Sequence, residues 1–277
     1  MTDIDFDQRH YADFSYFLEQ ACGIVLGSNK QYLVRSRLTP LVKQFNCVSI
    51  NAYIESVTNG NRQHQKAAIE AMTTNETLWF RDDYPFKLLE STLLPQFSSK
   101  NKSFRIWSAA CSSGQEAYSI AMTILNFKKQ QSSSFRAGIE IVGTDISEEM
   151  LQRCRAAEYD QLAISRGLPE SLKSEFFESA NNDMLRLKSQ VRALTTFKFI
   201  NLLDSYSSLG KFDIVFCRNV LIYFSPEVKQ QILQKIAASL QDGGILFLGA
   251  SESLSGLTDK FTMVRCSPGL YYLKKPL

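Results

Sequence analysis

Histidine is nearly missing from this chain: His10 and His64 are the only two in 277 residues. That scarcity argues against a histidine-rich metal centre, and a serine–histidine–aspartate triad would have to use one of these two. His64 stands among Gln63, Gln65 and Lys66 and reads as a surface residue. The six cysteines, Cys22, Cys47, Cys111, Cys154, Cys217 and Cys266, form no C-x-x-C pair, and several lie in apolar stretches. They read as reduced core thiols of a reducing compartment. No uninterrupted apolar run approaches the ~18 residues of a membrane span. The acidic start MTDIDFD has no apolar signal core, so a soluble cytoplasmic protein is expected. A strong excess of one charge is lacking too: 31 Lys plus Arg stand against 28 Asp plus Glu, a net +3, so any basic surface must be local. Glycine is scarce where a phosphate cradle would need it. The turn SAACSSGQE holds only Gly114, and without G-x-G-x-x-G a dinucleotide is disfavoured.

What is present is organised around FRIWSAACSSGQE, residues 104–116. Phe104, Ile106 and Trp107 read as a strand, residues 109–114 are small, and a helix begins near Gln115. In an open α/β sheet, ligands collect beyond the carboxyl ends of the strands, so residues 110–116 would floor a pocket. Such a floor suits a nucleoside without phosphates, such as S-adenosylmethionine; an ordinary strand-to-helix turn is the alternative. The first seventy or so residues read as helices. One carries Phe14, Phe17, Leu18 and Ala21 and stops at Gly23, and another covers 28–45, interrupted by Pro40, with a kink or a break expected near Thr39. That second helix holds Lys30, Arg35, Arg37 and Lys43 and no acidic residue, which is either a solvated face or a docking surface for an acidic partner. Ser49 can cap a third helix, and a fourth spans 62–72. The aromatic stretch TTNETLWFRDDYPF reads as an ordered linker or a lid. Lys128 and the residues after it, to 134, look like a surface loop.

Beyond the opening strand, residues 139–144 read as a strand ending in Asp145, with Ser147 as a helix cap and Glu148 and Glu149 at the helix's positive end. FDIVFC, residues 212–217, is a further strand, followed at once by Arg218 and Asn219. A helix from Ser225, a strand over 245–250 and an antiparallel hairpin over 261–274 complete the chain. Residues 163–197 break the alternation and look inserted. The fold expected is α/β, a doubly wound, mostly parallel sheet with an amino-terminal all-helical domain and a small inserted β subdomain. Polar residues at three strand ends could share one crevice. Asp145 is placed to accept from ribose hydroxyls or simply to cap a helix, Glu116 could meet an ammonium, and Asn219 offers donor and acceptor together.

The segments TTNETLWFRD, WSAACSSGQEAYS, VGTDIS, FINLLD and FDIVFCRNVLIYF, in this order, resemble the motifs of the chemotaxis receptor methyltransferases. The resemblance covers nearly the whole chain. It implies a protein-glutamate O-methyltransferase that uses S-adenosylmethionine, yields S-adenosylhomocysteine and needs no metal. It implies domains at 1–72 (helical), 73–82 (a linker contributing to the cofactor site) and 83–277 (methyltransferase, with 163–197 as the β subdomain). Asn75, Thr77 and Arg81 would reach the cofactor from the linker, Glu116 its amino-acid part and Asp145 its ribose. Asn201 and Leu202 would lie near the adenine, and Arg218, Asn219 and Val220 would line the opposite wall. Arg81 and Tyr223 match the positions closest to methyl transfer, though Tyr223 could also be a core aromatic. Arg35 and Arg37 would dock the cytoplasmic helices of chemoreceptors. A monomer that neither binds nucleic acid nor inserts in a membrane is expected. The family turn usually reads T-G-E-E-P; here Gln115 removes one charge and Ala117 the proline, while Glu116 is retained. A module that binds the nucleoside without catalysis, or a methyltransferase for another protein, is the alternative.

Overall fold

The computed structural model describes residues 6–98, 102–131 and 135–276. The start of MTDIDFD and the last three residues of the 128–134 patch lie outside them, and Lys128 itself is helical. The chain divides into two compact units: Met1–Thr74 with Tyr223–Val228, and Asn75–Ile222 with Lys229–Leu277.

The first unit is built on four helices, α1 (Gln8–Cys22), α2 (Gln31–Gln44), α3 (Ile50–Thr58) and α4 (Arg62–Met72). The Asp7 carboxylate caps α1 by accepting the His10 amide at 2.9 Å, and Gly23 ends it at φ 78°. Tyr11, Phe14, Leu18 and Cys22 recur at three- and four-residue spacing and are buried, as are Val34 and Leu38 of α2 and Tyr53, Ile54 and Val57 of α3. The expected break near Thr39 is not there: α2 runs through Pro40. The ring removes one N–H, but Val34 and Leu38 anchor the preceding turns, and the Thr39 hydroxyl donates to the Arg35 carbonyl at 2.7 Å. His64, expected at the surface, is half-buried. Its ring packs 4.4 Å from Phe45 and 5.1 Å from Tyr53, and its Nδ1 is buried without a hydrogen-bond partner.

The second unit holds a seven-stranded sheet. Its strands are β1 (Phe104–Ala109), β2 (Ile139–Asp145), β6 (Thr195–Phe199), β7 (Phe212–Cys217), β8 (Leu240–Phe247), β9 (Phe261–Cys266) and β10 (Gly269–Lys274), in the order β6-β2-β1-β7-β8-β10-β9. The first five in that order run parallel, and β10 and β9 are antiparallel. Central parallel strands are covered on both faces and therefore read as unbroken apolar runs; FDIVFC is buried at every position. Its one charge, Asp213, takes the Arg105 amide at 3.0 Å and the Lys102 ammonium at 2.9 Å. A second sheet, β3 (Glu158–Tyr159), β5 (Leu185–Leu187) and β4 (Phe177–Ser179), lies between β2 and β6 in the chain. The helices are α5 (Tyr84–Leu88) and α6 (Leu94–Ser98), joined by a π turn, then α7 (Gln115–Gln130), α8 (Glu148–Ala156), α9 (Gln161–Ser165), α10 (Glu170–Phe176), α11 (Ser189–Arg192) and α12 (Pro226–Ser239). Strand β8 starts five residues earlier than the 245–250 expected, with a register shift against β7 between Phe212 and Ile214 that absorbs the extra length. From β1 the chain winds outward through β2 to β6, then returns to β7 on the other side of β1. The order reverses there, so the crevice beyond the carboxyl ends of β1 and β7 is the binding position in such a sheet.

Candidate functional site

The turn after β1 is strained in a regular way. Ala110, Ser112 and Gly114 have φ of 58°, 50° and 95°. Left-handed backbone costs a non-glycine residue about 1–3 kcal/mol and persists only where the surroundings hold it. They do so at Ser112 through every polar group it has. Its amide donates to Asp145 Oδ2 at 2.8 Å, its hydroxyl to the Asn75 carbonyl at 3.0 Å, and its own carbonyl accepts from the Cys154 thiol at 3.1 Å. Tyr159 Oη adds a 2.8 Å bond to the Ser113 carbonyl. At Gly114 a Cβ would stand 3.1 Å from Cys154 Sγ and 3.2 Å from both the Tyr118 ring and Tyr159 Oη, so the position admits neither the angle nor the bulk of another residue. Asp145, buried at the end of β2, also takes the Ser147 amide on Oδ1 at 2.9 Å. A carboxylate has about four acceptor sites, and these two amides take two of them. Asp145 therefore shapes the turn; Ser147 caps α8 by accepting the Met150 amide.

A second cluster is centred on Arg218, which follows β7 and has a 2% exposed side chain. Its Nη1 donates to Glu116 Oε2 at 2.9 Å, and its Nη2 to Asp82 Oδ2 at 2.7 Å and to the Arg81 carbonyl at 2.6 Å. Ser108 of β1 donates to the other Glu116 oxygen at 2.7 Å. Glu116 lies in the first turn of α7, where the helix dipole favours a negative charge. The Arg218 guanidinium also faces the Phe86 ring at 5.8 Å, and its Nε is buried without a partner. Asn219, at φ 58°, is held by the Glu252 carboxylate, whose Oε2 accepts the Asn219 amide at 2.7 Å and the Gly249 amide at 2.8 Å. Next to Asp145, the β2 ladder ends with the Ile200 amide on the Asp145 carbonyl at 3.1 Å, which brings Asn201 and Leu202 to the same sheet end. Asn201 Oδ1 accepts the Leu203 amide at 3.0 Å, and Leu202 is buried.

Bonds thus connect Arg81, Glu116 and Arg218, and a second set connects Asn75 to Asp145 through Ser112. Thr77 and Val220 are half-buried. Arg81 donates through Nη1 to the Glu76 carbonyl at 3.1 Å. Its segment is ordered: Trp79 is fully buried between Tyr159 (4.9 Å) and Phe177 (5.5 Å), with its indole N–H on the Ala163 carbonyl at 3.1 Å. Arg35, Arg37 and Tyr223 belong to the first unit. Arg37 closes the end of α4, donating to the carbonyls of Ala71, Met72 and Thr73 at 3.2, 2.8 and 2.6 Å. The Tyr223 carbonyl accepts the Val25 amide at 3.0 Å. Sequence reading missed Ser112, Asp82 and Glu252; Asp82 stood inside TTNETLWFRD, but its partner is 136 residues away.

Two buried thiols near the site, Cys111 and Cys217, are held in the neutral form. Hydrogen bonding to Cys154, then burial, pushes the Cys111 thiol well above its ordinary range, and burial does the same to Cys217. Among the described residues no group of three or more His, Cys, Asp or Glu is arranged to hold a metal ion.

Residues 75–270 match the family described as CheR methyltransferase, SAM binding domain, and residues 9–73 match its all-alpha domain. The chain belongs to the CheR methyltransferase family. A chemotaxis protein methyltransferase of Vibrio parahaemolyticus is 54% identical over 276 residues, covering 99% of this chain and 100% of that protein. Chemotaxis protein methyltransferase 1 of Vibrio cholerae shows the same identity and coverage. A TehB-like SAM-dependent methyltransferase of Corynebacterium glutamicum is 11% identical, with a TM-score of 0.41 over 80% of this chain and 98% of that one. As a CheR methyltransferase the chain is an enzyme that uses S-adenosylmethionine. The residues described above fit that cofactor. Glu116 and Asp82 against Arg218 leave one net negative charge, two carboxylates less one guanidinium, which complements the net positive charge of a sulfonium with an amino-acid tail.

Proposed function

We propose that the enzyme methyl-esterifies glutamate side chains on the cytoplasmic helices of chemoreceptors, acting as a cytoplasmic monomer, and that the crevice beyond β1, β2 and β7 holds both reactants. When bound, S-adenosylmethionine supplies a methyl carbon on a sulfonium, a leaving group that departs as the neutral thioether of S-adenosylhomocysteine. A glutamate carboxylate is already ionised at neutral pH and needs no general base. The protein's task is alignment, which can contribute roughly 7–11 kcal/mol.

In this reading Asp145 takes the ribose hydroxyls, Asn201 and Leu202 flank the adenine, and Glu116 with Asn75 and Thr77 orients the amino-acid part. Arg218, Asn219 and Val220 form the facing wall. Arg81 and Tyr223 are assigned to the transfer step, as the resemblance implies, Arg81 orienting the incoming carboxylate. The single observation that carries the reading is the Arg218 cluster. One buried guanidinium bonds the helix bearing Glu116, the turn bearing Arg81 and, by its own position, the end of β7. Three of the five segments that carry the resemblance are thus bonded to one side chain, which supports the reading.

The test is incubation with labelled S-adenosylmethionine and receptor cytoplasmic fragments. Label should enter the receptor as a base-labile ester. Arg81→Ala should lower turnover by more than tenfold, about 1.4 kcal/mol in the barrier, while the affinity for S-adenosylhomocysteine changes little. Unchanged turnover in that variant removes Arg81 from the mechanism.

A further inference from the structure

The backbone around Arg81 is unusual on both sides. Phe80, Asp82 and Asp83 have φ of 49°, 65° and 53°. No glycine stands at any of the three, although glycine adopts these angles without steric cost. Side chains at such angles persist only when surrounding contacts over-determine them. The Phe80 amide donates to Ser119 Oγ at 3.1 Å, and the Asp83 amide to the Phe80 carbonyl at 2.8 Å. The Asp83 carboxylate pairs outward with Lys87. Asp82 turns the other way: its Oδ2 meets Arg218 Nη2 at 2.7 Å, and the same nitrogen holds the Arg81 carbonyl at 2.6 Å. The residue that presents Arg81 is therefore tied, through one nitrogen, to a guanidinium that Glu116 Oε2 also bonds at 2.9 Å.

We propose that Asp82 is a positioning residue for methyl transfer: its bond to Arg218 closes the turn and holds Arg81 in a fixed orientation toward the reacting groups. The inference rests on the role given to Arg81 above. Asp82 does not touch the substrate; it acts through Arg81. The choice of residue type follows from two demands at one position. Aspartate tolerates left-handed backbone better than most side chains, and it alone with asparagine does so while offering an oxygen at the right reach. Glycine would relax the angle and lose the anchor.

The test uses the full-length enzyme, labelled S-adenosylmethionine and a receptor cytoplasmic fragment, with S-adenosylhomocysteine affinity measured by calorimetry. Asp82→Ala and Asp82→Gly should each lower kcat by about 10- to 100-fold, the order of loss that a misplacement near 1 Å produces. Kd for S-adenosylhomocysteine, which carries no sulfonium charge, should stay within about threefold. Asp82→Asn, whose amide oxygen still accepts from Nη2, should recover most of the turnover. If Asp82→Ala fails to fold at this φ, Asp82→Gly decides alone, because its backbone is at ease there. In an Arg81→Ala background, adding Asp82→Gly should cost less than about threefold further, since both changes remove one function. A loss that multiplies in full in that background overturns the proposal, as does an unimpaired Asp82→Gly enzyme. Parent-like turnover in Arg81→Ala alone is a different failure: it overturns the role of Arg81, and this inference with it.

Discussion

Replacing Arg218 by methionine isolates what the buried guanidinium does for the fold. The side chain is 2% exposed, and its two carboxylate partners are 14% (Glu116) and 27% (Asp82) exposed. Methionine fills a similar volume against Phe86, so the apolar contact is largely kept and the change removes mainly the charge. Two carboxylates then share a poorly hydrated corner without a cation. Breaking a buried pair from one side costs about 3–5 kcal/mol, and the partial exposure of Asp82 argues for the lower half of that range. For a unit of this size each kcal/mol moves the melting temperature by roughly 2–4 °C, so a fall of about 6–16 °C is expected. The assay is thermal unfolding of nucleoside-free protein followed by far-ultraviolet circular dichroism. Adding Glu116→Gln to the variant should restore part of the lost stability. A methionine variant that melts within about 2 °C of the parent would refute the reasoning, since it would mean that the cluster is solvated enough to need no cation.

Arg35→Glu is expected to weaken receptor methylation severalfold at low salt while leaving nucleoside affinity unchanged, and equal rates at low salt would remove the docking role. Arg37→Glu should behave differently: it takes the cap from the carbonyls of Ala71, Met72 and Thr73, so a lowered melting temperature should accompany any loss of methylation. His10 lies 3.0 Å from Glu55 and 2.7 Å from Asp7, and these hydrogen bonds, Glu55 first, raise its pKa above the ordinary 6.5. A raised folded value means that its stabilisation is complete below about 6.5 and is lost as pH rises through the folded value; His10→Ala should flatten the pH dependence of melting in that window, and an unchanged profile would refute the assignment.

The parts of this enzyme that a reader of the sequence could find are those whose signal is local. FDIVFC and the run ending in Asp145 announce buried parallel strands because apolar residues occupy both faces and a polar residue closes each. The helical amino-terminal segment shows itself through the spacing of Phe14 and Leu18. What stayed hidden depends on pairing across the chain. The Arg218 partners Glu116 and Asp82 lie 102 and 136 residues away, and no period or cap points from one to the other. Arg37 on the basic helix read as docking charge, and its bonds to the end of α4 were invisible because a capping partner 34 to 36 residues away leaves no local mark. His64 misled for the same reason: its polar neighbours in sequence are not its neighbours in space, which are Phe45 and Tyr53.

The strained residues give the site a common logic. Ser112, Asp82 and Asn219 are all left-handed, with φ of 50°, 65° and 58°, and glycine could take each of those angles more cheaply. At Ser112 and Asp82, however, glycine would lose a bond that joins two segments: the Ser112 hydroxyl to the Asn75 carbonyl, and the Asp82 carboxylate to Arg218. At Asn219 the bond to Glu252 runs through the backbone amide, so glycine would keep it; what asparagine adds there is its own amide, 2.6 Å from where a Cβ on Gly249 would stand. That contact explains why Gly249 carries no side chain. Strain of about 1–3 kcal/mol at each residue is therefore the cost of placing polar side chains at turns where backbone must come close. It is offset by charge-assisted or buried hydrogen bonds of comparable size. Weakening one of these bonds releases strain as well as contact, so the turn bearing it should loosen by more than the lost bond alone implies.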